Sequence, residues 1–205
     1  MIDLFPYIGI AARHLHRAGL LLLCLAVLSS CGPKHVEKSL SSNGEYKTLN
    51  DQGAVLISQG RYEEALEMVE AALAIKPDYS FAWNNKSVIF LGLGKTDEAL
   101  DAADRALKIN PLNAAAWSNK SMVYRNTARM NDALQAMDRA LLIEPRNALF
   151  LYNKACYQAL AGDRDGALGS IEKAAKLDPR IKAAAARDED LESLRSDPRF
   201  KKLTE

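Results

Sequence analysis

Residues 83–111 read WNNKSVIFLGLGKTDEALDAADRALKINP, and residues 117–145 read WSNKSMVYRNTARMNDALQAMDRALLIEP. Laid over each other at an offset of 34, they share Trp, Asn-Lys-Ser, Ala-Leu, Asp-Arg-Ala-Leu, Ile and Pro in register. The register extends both ways, because Pro77, Pro111, Pro145 and Pro179 are each 34 residues apart. Aligned on these prolines, one column reads Leu49, Trp83, Trp117, Leu151. A small-residue column reads Gly53, Ser87, Ser121, Ala155, and a third reads Leu56, Phe90, Tyr124, Gln158. Further columns hold Ala65, Ala99, Ala133, Ala167, then Ala72, Ala106, Ala140, Ala174, then Ile75, Ile109, Ile143, Leu177.

Within each unit the apolar spacing is helical. Leu49, Gly53 and Leu56 fall at i, i+4, i+7, and Ala65, Val69, Ala72 and Leu73 share a face of a second helix. Alanines at the crossing points let two helices approach closely. Gln59-Gly60, Leu93-Gly94 and Ala161-Gly162 end the first helix, since glycine readily takes the left-handed conformation that follows a helix end. The third unit has Ala128-Arg129 there, so its turn is less clearly specified. Each proline closes the second helix by pushing its predecessor out of the α region. One such pair cannot bury its apolar faces alone, but a stack of pairs can.

These columns resemble the tetratricopeptide repeat family, whose pattern is W-x₂-L-G-x₂-Y, then Ala, an aromatic and Pro, at period 34. The resemblance covers residues 46–181. It implies an all-α protein: a right-handed superhelical solenoid of four helix pairs, at 46–79, 80–113, 114–147 and 148–181. The pattern departs at Leu49 and Leu151, where an aromatic is usual, at Gln158 in place of Tyr, and at Lys86, Lys120 and Lys154 in the usual Leu slot. Residues 182–205 do not repeat. Leu191, Leu194, Phe200 and Leu203, with Asp197-Pro198 as a helix start, predict capping helices over the end of the fourth repeat.

Ahead of the repeats, Arg13, His14, His16 and Arg17 precede an 11-residue apolar run from Ala18 to Leu28. That run is too short to span a bilayer and suits a signal-peptide core. Leu28-Ser29-Ser30-Cys31 resembles the lipobox of bacterial lipoproteins. The resemblance implies removal of residues 1–30, lipidation of Cys31 and anchorage by several acyl chains. Gly32 after the acceptor, where an Asp would favour inner-membrane retention, implies the periplasmic face of the outer membrane. Residues 31–45 are polar and read as a flexible tether.

The 205 residues carry 27 basic and 26 acidic side chains. Losing Arg13, Arg17 and Asp3 with the export segment brings the formal charge from +1 to zero. This balance lacks the clustered basic excess that nucleic-acid binding needs. All three His, at 14, 16 and 35, precede the repeats, leaving the folded part without an imidazole base or ligand. Cys156 has no activating neighbour in sequence. Ser170-Ile171-Glu172-Lys173 matches S-x-x-K without its companion motifs. The expectation is therefore no enzyme, no cofactor or metal and no small-molecule substrate, with a Cys or Ser nucleophile as the weaker rival.

The resemblance places the first helix of each pair on a concave groove. One column there reads Asp51, Asn85, Asn119, Asn153, similar to the asparagine ladder of repeat proteins that hold extended peptides. A primary amide both donates and accepts, so it can pair with a peptide backbone. The alternative is that each Asn bonds the neighbouring repeat. Phe81, Asn84, Met122 and Tyr152, with Val88, Ala115, Ser118, Leu149 and Cys156, would complete the groove. The clamp that reads chaperone C-termini needs Lys and Arg in the groove; the corresponding slots hold Asn50, Ala54, Asn85, Ala115 and Asn119, of which only Asn85 fits, so chaperone docking is disfavoured. Lys86, Lys120 and Lys154 form a second row that either attracts acidic partners or packs its stems on apolar neighbours. The expected function is a membrane-anchored adaptor of the cell envelope that holds a partner protein or extended peptide. An assembly factor for an envelope complex is the alternative.

Overall fold

The computed structural model of the chain describes residues 34–205, with side chains from Gly44 onward. Residues 1–30, read as an export segment, and Cys31, read as a lipid acceptor, lie outside the described residues. Eight helices form four successive pairs: α1 (Lys34–Ser58) with α2 (Tyr62–Ile75), α3 (Ser80–Gly92) with α4 (Thr96–Ile109), α5 (Ala114–Asn126) with α6 (Met130–Ile143), and α7 (Ala148–Leu160) with α8 (Arg164–Leu177). A short α9 (Arg180–Ala185), a 3-10 helix (Glu189–Leu194) and α10 (Pro198–Thr204) complete the chain. The described residues contain no strand.

One expectation changes. Residues 34–45, read as tether, have helical backbone and continue α1 toward its N-terminus. Between Lys34 and Tyr46 only Gly44 is a strong helix breaker. The packed residues that follow have already borne the cost of nucleation, so the helix propagates backward cheaply.

The predicted columns pack as columns. Ala65, Ala99, Ala133 and Ala167 are fully buried, as are Ala72, Ala106, Ala140 and Ala174. The opposing small column explains the close approach. A Cβ on Gly53 would stand 2.7 Å from Val69 Cγ2 and 3.4 Å from Ala65 O. Ser87 instead donates its Oγ–H to Ala99 O at 2.8 Å. Trp83 and Trp117 donate their indole N–H to the carbonyls of Pro77 (2.8 Å) and Pro111 (2.9 Å). Each tryptophan thus pins the proline turn that precedes its own helix.

The turn between paired helices is left-handed in every repeat: φ is +71° at Gly60, +72° at Gly94, +84° at Gly162 and +57° at Ala128. The third repeat therefore keeps the shared turn with an alanine, which pays a Cβ clash of about 1–2 kcal/mol in this conformation.

At the C-terminal end, Leu191 and Leu194 are fully buried and Phe200 nearly so, in one cluster with Tyr157, Leu168 and Ile171. Asp197 caps α10 by accepting from Arg199 N at 2.8 Å, with Pro198 in the first turn.

Candidate concave groove

First helices of neighbouring repeats approach each other, α1 to α3 and α3 to α5, whereas the second helices make no comparable contact. The first helices thus line the inner side of the curve. Phe81, second residue of α3, is 55% exposed there. Asn84, Asn85, Val88, Asn119 and Met122 are half-buried, and Ala115 is exposed. Over the first three repeats the surface is largely uncharged. Lys47 and Asp51 stand at its N-terminal end.

The asparagines are linked between repeats. Asn85 Nδ2 donates to Asn50 Oδ1 at 2.8 Å, and Asn119 Nδ2 donates to Asn84 Oδ1 at 2.7 Å. The bond runs diagonally, from one column to the preceding position in the previous repeat. A third such bond would need an amide where Ser118 stands. Each donor asparagine keeps a second N–H and its carbonyl oxygen, enough to meet a peptide backbone. Asn50 and Asn113 are polar partners outside that column. Asn113 caps α5 through its Oδ1 and donates Nδ2 to Ser80 Oγ at 3.0 Å.

The fourth repeat differs. Tyr152 is 8% exposed, Asn153 9% and Cys156 5%, whereas Asn84, Asn85 and Val88 in the second repeat are all half-buried and in the third Ser118 is buried but Asn119 and Met122 are half-buried. The 3-10 helix packs on α7 at this point. Tyr152 OH donates to Asp188 Oδ2 at 2.5 Å, and Cys156 Sγ lies 3.7 Å from the same oxygen. Arg125 Nη2 reaches across to Asp190, 2.6 and 2.7 Å from its two carboxylate oxygens. Tyr152 and Asn153 are therefore not open to a ligand in this state, and the accessible part of the expected site is Phe81, Asn84, Asn85, Asn119 and Met122. No local pattern marks Arg125, Asp188 and Asp190, because their pairing spans up to 65 positions.

Cys156 is held as a thiol. Burial, then the carboxylates of Asp188 and Asp190, push its pKa well above the usual range, the reverse of what activates a nucleophile. Burial likewise raises the Tyr152 phenol, and raises Tyr157 to about 12. Ligand atoms of Cys156, Asp188 and Asp190 lie within 4.8 Å of one another. A metal would have to displace both the Arg125 guanidinium and the Tyr152 hydroxyl hydrogen. Ser170 donates to Gln158 Oε1 at 2.6 Å while Lys173 is exposed, so that pair is not assembled as nucleophile and base.

The lysine row is also engaged between repeats. Lys86 pairs with Glu70 (2.8 Å), Lys120 with Asp104 (2.6 Å) and Lys154 with Asp138 (2.6 Å). Lys86 sits 5.5 Å from the centroids of both Trp83 and Phe90, and Lys120 sits 5.7 Å from those of Trp117 and Tyr124. At positions 86 and 120 lysine thus fills the usual Leu slot with an ammonium group that meets two rings and a carboxylate, and at 154 with one that meets a carboxylate.

Comparison with known proteins agrees with this architecture. Family models described as tetratricopeptide repeat match residues 44–111 and 85–150. No curated protein matches the chain. Among solved structures, PilF of Pseudomonas aeruginosa superposes with a TM-score of 0.70 at 17% identity, over 80% of this chain and 77% of that one. The thermophilic repeat protein TTC0263 of Thermus thermophilus gives 0.65 at 24% identity, over 77% and 86%. The first repeat domain of Spaghetti (RPAP3), bound to the HSP90 peptide SRMEEVD, gives 0.53 at 22% identity, over 57% and 94%. At these identities the likeness is one of fold.

Proposed function

Because the chain belongs to the tetratricopeptide repeat family, whose members are generally non-catalytic protein-interaction modules, we propose that it is a lipid-anchored adaptor of the cell envelope. Its groove, from α1 to α5, holds an extended segment of a partner protein. The observation that carries this reading is the exposed Phe81 ring beside a half-buried, uncharged surface of Asn84, Asn85, Asn119 and Met122. Such a surface suits a backbone-paired segment with apolar side chains. The acidic peptide seen with the Spaghetti domain fits this groove poorly. Arg125, the cation at its far end, already holds Asp190. Anchorage is supported by the Leu28–Cys31 tetrad behind its apolar run.

The test is co-purification from detergent-solubilised envelope, using the intact chain and a Phe81→Ala variant. A partner retained by the intact chain and lost from the folded variant supports the groove. A partner retained equally by both removes it. Mass spectrometry of the mature N-terminus tests the anchor separately, and a lipid-bearing peptide beginning at Cys31 is expected.

A further inference from the structure

The solenoid has two unlike edges. One carries the glycine turns between paired helices, and the other carries the proline turns between repeats. Eight large apolar side chains are exposed among the described residues. Phe81 opens on the groove, and five of the others lie at the proline-turn edge: Ile75, Ile109, Leu112, Leu142 and Leu177. Val55 and Leu160 lie toward the other. Leu112 is 72% and Leu142 75% exposed. Leu142 occupies the column of Lys108 one repeat on, and Arg146 occupies that of Leu112, so two exposed leucines alternate with two exposed cations. An open depression lined by Glu144, Pro145, Arg146 and Asn147 marks the same turn. Its acid, Glu144, is engaged by Asn147 Nδ2 at 2.8 Å.

The start of the described chain lies on the side of this edge. α3, α5 and α7 begin at Ser80, Ala114 and Ala148, which correspond to position 46, yet α1 begins at Lys34. Twelve extra residues carry α1 about 18 Å beyond the edge at which first helices start. Residue 31 precedes that start by only three positions.

We infer that the proline-turn edge is a second membrane contact, which lies against an anionic bilayer beside the lipid anchor. This inference rests on the lipid-anchored reading of Cys31. Repeats stacked at about 10 Å put the far end of the edge about 30 Å from α1. A lean of about 30° then offsets the 18 Å arm and brings Leu112, Leu142 and the turns beyond them to the headgroups. Apolar side chains interleaved with cations suit that interface, and the edge reinforces the acyl chains.

Hydroxyl-radical footprinting of the mature protein tests this, with and without vesicles of phosphatidylethanolamine and phosphatidylglycerol. Vesicles should protect Leu112 and Leu142 from oxidation several-fold while Leu160 and Val55 are unchanged. Lys108→Glu/Arg146→Glu should lose the protection and keep its fold. Equal protection at all four positions overturns the inference. So does protection of Leu112 without vesicles that grows with protein concentration, which would mean that a second copy covers the edge. The N-terminal peptide of the same digest reports whether Cys31 carries lipid. If it does not, the anchor reading fails by itself, and vesicle protection of Leu112 still decides the edge.

Discussion

Asn85 and Asn119 sit half-buried in the groove, while Asn153, in the same column, is 9% exposed beneath the C-terminal cap. The sequence column is identical and the surroundings are not. In a stacked fold the exposure of an inner residue is set by the unit that follows it. For α3 and α5 that unit is another repeat, whose first helix continues the groove. For α7 it is a 3-10 helix that brings Asp188 and Asp190 over Tyr152 and Cys156. The solenoid therefore offers an open stretch and a closed end, held by different chemistry. Repeated amide and lysine–carboxylate links join the open repeats. Buried leucines, the Tyr152–Asp188 hydrogen bond and two arginine bridges, Arg125–Asp190 and Arg199–Asp165, hold the closed end.

The comparison breaks most severely at the cap. Leu191→Ala removes a fully buried side chain and should cost about 2–5 kcal/mol. Thermal melting followed by circular dichroism should show the loss. Cys156 should become reactive to a thiol reagent under native conditions. A variant that melts normally with a silent thiol would mean that the cap does not close the fourth repeat.

The open stretch has one weak point, at Ala128. Ala128→Gly keeps the left-handed turn without the Cβ clash and should stabilise the protein by about 1 kcal/mol. The gain is net of the greater unfolded-state freedom of glycine. Denaturant unfolding measures it, and an unchanged midpoint would show that the turn carries no strain.

The smallest effect is expected at Arg125. Its bridge to Asp190 is partly exposed, so Arg125→Ala should cost about 1 kcal/mol or less. It should still speed thiol modification of Cys156, because the guanidinium closes that side of the cluster. Stability unchanged together with thiol reactivity unchanged would remove the bridge from the account.

The fold was legible because repeat packing reuses a few positions. Proline spacing gave the repeats, and the alanine columns gave the crossings. Trp83 and Trp117 fell where the pattern predicts. The site was legible only in part. The asparagine row was visible, and so was the alternative that it bonds the neighbouring repeat, but the acceptors were not, since Asn50 and Asn84 belong to another column. Lys86, Lys120 and Lys154 looked free in sequence because their acidic partners lie 16 positions upstream, on the preceding helix. The burial of Tyr152 and Asn153 depends on residues 188–190, which follow no repeat. The helical state of residues 34–45 was missed because a polar composition does not reveal a helix that propagates from packed neighbours.

The central claim is that binding uses the open stretch and spares the closed end. Peptides selected on the intact protein from a random display library provide the ligand. Their affinity is then measured by calorimetry for Phe81→Ala, Asn153→Ala and Leu160→Ala, each checked for an intact fold. The account predicts that Phe81→Ala weakens binding about tenfold or more, a loss of about 1.4 kcal/mol, while Asn153→Ala and Leu160→Ala bind as the unmodified chain does. Full affinity in Phe81→Ala, or an equal loss in all three, would contradict it.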